Sequence, residues 1–230
     1  MQDIQIAYHN VKSRIEEACS RVNRNPRDVS IIAVTKYVSM ETTQAALNQG
    51  ISHIGESRVQ DAVPKWELLG EQATWHFIGH LQTNKVKDVV GRFSYIHSLD
   101  RLSLAEEIEK RSRQKGLVTN CLVQVNISGE ETKFGLKPNQ VLEFVKETSK
   151  MKYINLCGLM TMAPYELVPE QTRSVFRQLR ELRTELNGLQ LPRVQLEHLS
   201  MGMSNDFEVA IEEGATFIRL GSVLVGNEKN

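Results

Sequence analysis

The sequence predicts an α/β fold: one (β/α)8 barrel with an extra helix in front of its first strand. Three observations carry that reading. Eight short apolar segments of strand character alternate with helical segments along the 230 residues. They join through tight turns, with no linker, low-complexity run or Pro/Gly/Ser-rich stretch between them, so residues 1–230 read as a single domain. An open doubly wound sheet fits the same alternation, but a nucleotide-binding sheet of that kind wants a GxGxxG or GxxxxGKS turn after a strand. Neither is present, and closure is favoured.

The first helix is predicted over about Ile4 to Val22. Ile4, Ala7, Val11, Ile15 and Ala18 recur at helical spacing, and Asn25-Pro26 breaks the pattern. VSIIAVTK (29–36) follows, a continuous apolar run of the kind buried on both faces in parallel sheets. Ala45, Ala46 and Leu47 mark a short helix ending at Gly50, and ISHIGE (51–56) is the second strand. A helix through Leu69 stops at Gly70 and leads into TWHFIGH (74–80). NKVKDVVGR reads as helix, SYIHSLD (94–100) as strand, and RLSLAEEIEKRSRQKG as a helix ended by Gly116. In the second half NCLVQVNIS (120–128), NLCGLMTMA (155–163), QLEHLSMG (195–202) and TFIRLGSVLVG (216–226) are the strands. Helices lie between them at NQVLEFVKETSK (139–150), from Glu170 to Leu186, and around DFEVAIEEG.

Composition excludes several classes. Lys+Arg and Asp+Glu both number 28, which leaves no excess positive charge for a nucleic-acid backbone. No run approaches the ~18 apolar residues of a membrane span, and MQDIQIAYHN has neither the basic nor the apolar region of a secretory signal. Cys19, Cys121 and Cys157 are odd in number, widely spaced and without a CxxC pair, so they read as reduced thiols of a cytoplasmic protein.

In such a barrel the chemistry sits at the C-terminal ends of the strands. The first strand ends in Lys36, whose stem would lie among apolar side chains. Desolvation there favours the neutral amine that a Schiff-base lysine needs, while a lysine snorkelling to solvent is the plain alternative. Arg219 stands at the end of the apolar run TFIRL of the last strand, followed by Gly221, Ser222 and a short apolar segment up to Gly226 that reads as a short helix or a turn. That pattern suits a phosphate cradle of backbone N–H groups and a hydroxyl, or else a simple turn of small residues. The neighbouring strand ends in LSMGMS (199–204). The histidines predict no metal centre. His76 and His80 on one extended strand would stand about 13 Å apart, and His53, His97 and His198 lie on three other strands without a ligand cluster, as hydrogen-bonded core or rim residues. The basic run RSRQK (111–115) reads as a solvated helix end.

The motifs AVTK (33–36), GESRVQD (55–61), WHFIGHLQTNK (75–85), CGLMTM (157–162), LSMGMSND (199–206) and RLGSVLVG (219–226) stand in the order and spacing of the pyridoxal phosphate homeostasis proteins. The chain resembles that family over essentially its whole length. The resemblance implies a barrel of PLP fold type III, like the N-terminal domain of alanine racemase, carrying pyridoxal 5′-phosphate (PLP) and no metal. By resemblance Lys36 matches the lysine of the internal aldimine and Arg219 the arginine facing the pyridine nitrogen. Gly221 and Ser222 match the phosphate-binding turn, with Ser200, Met201 and Ser204 as contributors from the neighbouring strand end. Ser57 stands where the family has the asparagine of its GEN motif, and His80 where a proline follows WHFIG.

The function so implied is non-enzymatic: a PLP-binding protein of intracellular PLP homeostasis that buffers the cofactor or delivers it to PLP-dependent apo-enzymes. A monomer without nucleic-acid or membrane partners is expected. An arginine opposite the pyridine nitrogen, unlike a carboxylate, disfavours its protonation and weakens the ring as an electron sink. Racemases of this arrangement add a second base, a tyrosine from a partner subunit's β domain, and a chain ending at Asn230 leaves no room for that domain. A weak PLP-dependent racemase, a class I aldolase using Lys36 and a pure interaction protein are the alternatives. SGEETKFG (128–135) is the expected lid.

Overall fold

The computed structural model describes residues 3–228. Eight parallel strands close into a barrel in chain order: β1 (Ser30–Val34), β2 (His53–Glu56), β3 (Thr74–Phe77), β4 (Tyr95–Leu99), β5 (Thr119–Gln124), β6 (Ile154–Met160), β7 (Val194–Ser200) and β8 (Phe217–Leu220). β8 returns to β1 with Ser30 opposite Phe217 and Ala33 opposite Leu220, so the sheet has no free edge.

The helices are α1 (Ile4–Arg21), α2 (Met40–Asn48), α3 (Val59–Leu69), α4 (Val86–Val89), α5 (Leu102–Lys115), α6 (Pro138–Thr148), α7 (Arg173–Gly188) and α8 (Phe207–Glu212). The extra helix α1 starts at Asp3, whose carboxylate accepts from the N–H groups of Gln5 and Ile6. It buries Ile4, Ala7, Val11, Ile15 and Ala18, the stripe expected from the sequence. Its polar side pairs with α8, Arg14 to Glu208 at 2.6 Å and Arg21 to Glu212 at 2.5 Å. No helix among the described residues is long and apolar enough to cross a membrane.

The strands are shorter than their apolar runs. β3 stops at Phe77, so His80 lies beyond the strand, in the loop after it. β8 stops at Leu220, and the segment read as turn or helix is a turn, because the Gly221 carbonyl accepts from both Leu224 and Val225 at 2.9 Å and the pattern goes no further. The stretch NKVKDVVGR is helical only over Val86–Val89, after a 3-10 turn at Thr83–Lys85. α7 begins at Arg173 rather than Glu170, since Pro169–Thr172 forms a 3-10 turn. Each difference lies at a strand's exit, where the chain leaves the ladder to build the rim.

Two packed layers result. The larger lies between sheet and helices. The smaller fills the barrel's bore with Ile32, Leu122, Cys157, Met160 and Phe217. Phe217 also touches four histidine rings, with centroid distances of 6.1 Å to His53, 5.2 Å to His76, 5.8 Å to His97 and 4.3 Å to His198. His53, His76 and His97 are the hydrogen-bonded core or rim residues expected from the sequence, and what spacing along single strands does not show is that their rings meet. Their alternation along the strands is the signal that would have turned them inward together.

Candidate functional site at the strand exits

Lys36 sits two residues past β1, in a turn that three interactions fix. Lys65 of α3 donates to the Thr35 carbonyl at 2.6 Å and to the Glu56 carboxylate at 2.8 Å, and the Thr35 hydroxyl donates to that carboxylate at 2.6 Å. Beyond the turn, Glu228 donates its N–H to the Tyr37 carbonyl at 3.1 Å, and its carboxylate accepts from the Ser39 N–H at 2.7 Å and from the Thr42 hydroxyl. Lys36 itself is half-buried, with Nζ 4.9 Å from the Tyr37 ring centre. Among the described residues the lysines in ion pairs are Lys65, Lys110, Lys133 and Lys150; Lys36 is not one of them.

A cavity of 380 Å³ opens beside it, within the range of small-molecule sites, about 300–1,000 Å³. Six of the eight residues proposed from the sequence line it: Lys36, Ser57, Ser204, Arg219, Gly221 and Ser222. The other two do not. Successive residues of a strand point to opposite faces. Ser200 therefore turns into the bore beneath Arg219, and Met201 packs into the layer between sheet and helices, its N–H donating to the Phe217 carbonyl at 3.1 Å. The adjacency of Ser200 and Met201 in sequence is thus separation in space.

Arg219 is buried and held rigidly. Nη1 donates to Ser200 Oγ at 2.7 Å, Nη2 to the Thr161 carbonyl at 2.9 Å, and the backbone N–H to the Gly202 carbonyl at 3.0 Å. Burial pushes its pKa down to about 10, so the guanidinium stays charged at neutral pH. Asp206, also on the cavity wall, accepts the Met203 N–H at 2.6 Å and braces the turn carrying Ser204. Burial raises its carboxyl, partly offset by the Met203 N–H and the Arg219 charge.

The hydroxyls of Ser204 and Ser222 share the cavity, and among the described residues the backbone N–H groups of Gly221 and Ser222 donate to no carbonyl. Neutral donors converging in this way suit an anion, and phosphate above all. Val34, Ile78, Met162 and Leu167 add an apolar lining fit for a flat ring. Chemically, this set of groups suits a ligand with an anionic group and an electrophilic carbon within reach of a lysine amine.

Sequence reasoning missed several wall residues, among them Gln124 at the end of β5 and Tyr165 and Asp206 on the rim loops. Loops carry no periodicity to announce which side chain faces in. Phe134, from the expected lid segment 128–135, stacks on His80 with ring centres 4.0 Å apart, and both line the cavity. The loop after β3 also crosses close to Ser57: a Cβ at Gly79 would lie 2.2 Å from the Ser57 carbonyl oxygen, so only glycine allows the approach. No group of three or more histidine, cysteine or acidic residues among those described is arranged to hold a metal ion.

Comparison with known proteins fits this geometry. Residues 6–229 match the family described as alanine racemase, N-terminal domain. The pyridoxal phosphate homeostasis protein of Aquifex aeolicus (strain VF5) is 46% identical over 220 residues, covering 95% of this chain and 96% of that protein. The chain belongs to the pyridoxal phosphate homeostasis proteins, within the alanine racemase N-terminal domain family. Among solved structures of the family, PipY of Synechococcus elongatus PCC7942, with PLP bound, is 34% identical with a TM-score of 0.81, covering 93% of this chain and all of that one (100%). The fold extends to more distant proteins. Alanine racemase of Clostridium difficile 630, at 16% identity and a TM-score of 0.77, covers 97% of this chain and 56% of its own.

Proposed function

We propose that this protein binds PLP in the cavity at the strand exits, through Lys36, and serves intracellular PLP homeostasis by buffering the cofactor or handing it to PLP-dependent apo-enzymes. The proposal takes residues 1–230 as one cofactor-binding domain, acting as a cytoplasmic monomer without a turnover of its own. One arrangement carries it: a lysine outside every described ion pair, a buried arginine and a cradle of hydroxyl and N–H donors on the wall of a single cavity. That donor set fits PLP. When bound, the group supplies an aldehyde for a lysine amine, a conjugated pyridine ring and a phosphate dianion.

The chain's residues divide the work. Lys36 would hold the aldehyde carbon, and the turn braced by Lys65 and Glu228 keeps its amine at the mouth. Ser204, Ser222 and the Gly221–Ser222 N–H groups would take the phosphate, with Ser57 at the β2 exit. Arg219 brings a fixed positive charge, which disfavours a second one on a ring nitrogen and so favours holding over turnover. The names of relatives such as the Aquifex aeolicus protein support the homeostasis role. Three unpaired, buried thiols support a reducing compartment.

The test is the visible spectrum of the PLP-loaded protein before and after borohydride, with mass mapping of the labelled peptide. A yellow protein that bleaches, with a pyridoxyl adduct on Lys36 that Lys36→Ala removes, is expected. A protein that stays colourless when PLP is added overturns the reading. Loss of Cα deuterium from an amino acid at a rate abolished by Lys36→Ala would overturn its non-enzymatic part, and a stable dimer on sedimentation its monomer.

A further inference from the structure

The bore holds a line of polar side chains that the cavity does not use. His53 Nδ1 lies 2.9 Å from His76 Nε2, His76 Nδ1 2.9 Å from His97 Nε2, and His97 Nδ1 2.9 Å from Ser200 Oγ. Arg219 Nη1 then donates to Ser200 Oγ at 2.7 Å. The stagger of the strands makes the line climb. His53 pairs with Thr74, two residues before His76, and His76 pairs with Tyr95, two before His97. It runs from half-buried His53, in a separate cavity at the strands' N-terminal ends with Tyr8, Lys12 and Glu16, to Arg219 at the opposite end.

Valence allows this line one sense. A guanidinium has no acceptor, so Ser200 Oγ must accept from Arg219. A neutral imidazole has one N–H and one lone pair, so each ring passes the same direction on. If His97 donated to Ser200, the serine proton would have no acceptor among the described residues, and an unsatisfied buried donor is costly. If Ser200 donates to His97 Nδ1, then His97, His76 and His53 all carry their proton on Nε2 and every bond in the line is made. Beside the line stand Tyr95, stacked on His76 at 4.8 Å, His198, against Phe217, and Asp206, whose charge acts on Arg219; among the described residues no carboxylate hydrogen-bonds to the three histidines, Ser200 or Arg219.

We propose that His97, acting through Ser200, is the positioning residue for Arg219, and that His76 and His53 fix the sense of that bond from the far end of the barrel. The tautomers follow from the chain alone. Only the effect on PLP rests on the proposed function. Burial, with repulsion among the rings, holds His76 well below the usual histidine range, and burial and the Arg219 charge do the same for His97, which suits rings that stay neutral.

The test is long-range 15N–1H correlation on the ligand-free protein with labelled histidine at pH 7. His53, His76 and His97 are expected neutral and protonated on Nε2. An imidazolium, or a proton on Nδ1 of any of the three, overturns the proposal. Two variants then probe the coupling. His53→Gln supplies an amide oxygen that still accepts from His76, and should leave His76 and His97 unchanged. His53→Lys offers only donors, and should switch both rings to Nδ1–H and weaken PLP binding about tenfold. An unaltered His97 in a folded His53→Lys protein refutes the coupling. The expected tautomers in a protein that binds no PLP would leave the relay standing and the functional reading fallen; PLP binding with other tautomers would do the reverse.

Discussion

Lys65 donates to the backbone carbonyl of Thr35 at 2.6 Å, and so ties the middle of α3 to the residue immediately before Lys36. The same ammonium neutralises Glu56, which is fully buried. Removing one member of a buried pair strands the other charge, at about 3–5 kcal/mol. Lys65→Met should lower unfolding stability by that order in urea titrations. Replacing both partners, as Glu56→Gln with Lys65→Met, should cost clearly less. Equal losses in the single and double variants would show that the pair does not act as one unit.

Acid should weaken the fold before the carboxylates titrate. In the unfolded chain histidines take up protons near pH 6.5. In the folded barrel burial holds His53, His76 and His97 below that value, the last two well below. The unfolded state therefore binds more protons as pH falls through 6.5, and stability is lost in the window from 6.5 down to the folded values. His76 and His97 alone would give a slope of about 3 kcal/mol per pH unit once the unfolded chain is protonated. Urea midpoints at pH 7, 6 and 5 read it directly; a flat profile would contradict neutral histidines.

The cavity wall holds Ser204 and Ser222, proposed above for the phosphate, and not Met201. Hydrogen bonds to a charged group contribute roughly 1.5–3 kcal/mol. Ser204→Ala and Ser222→Ala should each raise the PLP Kd about tenfold or more by this measure. Met201→Leu, confined to the packed layer outside the barrel, should leave Kd unchanged. Spectroscopic titration checks all three, and a Met201 effect as large as that of Ser204 would return it to the site.

Phe134 is exposed yet stacks on His80 across the cavity mouth. Phe134→Ala should leave stability within about 0.5 kcal/mol, as for most surface changes, while speeding release of PLP in stopped-flow chase experiments. An unchanged release rate would remove the 128–135 loop from the gate.

Much of this protein was legible in one dimension. The α1 stripe from Ile4 to Ala18, the eight apolar runs and their helices required only periodicity, because burial on a helix or strand follows from spacing along the chain. The strand-exit motifs placed Lys36, Ser57, Ser204, Arg219, Gly221 and Ser222, and the barrel's closure gathers all six on one cavity wall.

What the sequence left open lies between strands rather than along them. Ser200, the last residue of β7, and Met201, the residue after it, are neighbours in the chain and point to opposite sides of the sheet, one beneath Arg219 and one in the outer layer. His53, His76 and His97 are more than twenty residues apart, and only the two-residue stagger between adjacent strands brings their nitrogens to 2.9 Å. Periodicity determines which face a side chain takes. The level it reaches in the barrel depends on register, which is set when all eight strands close together.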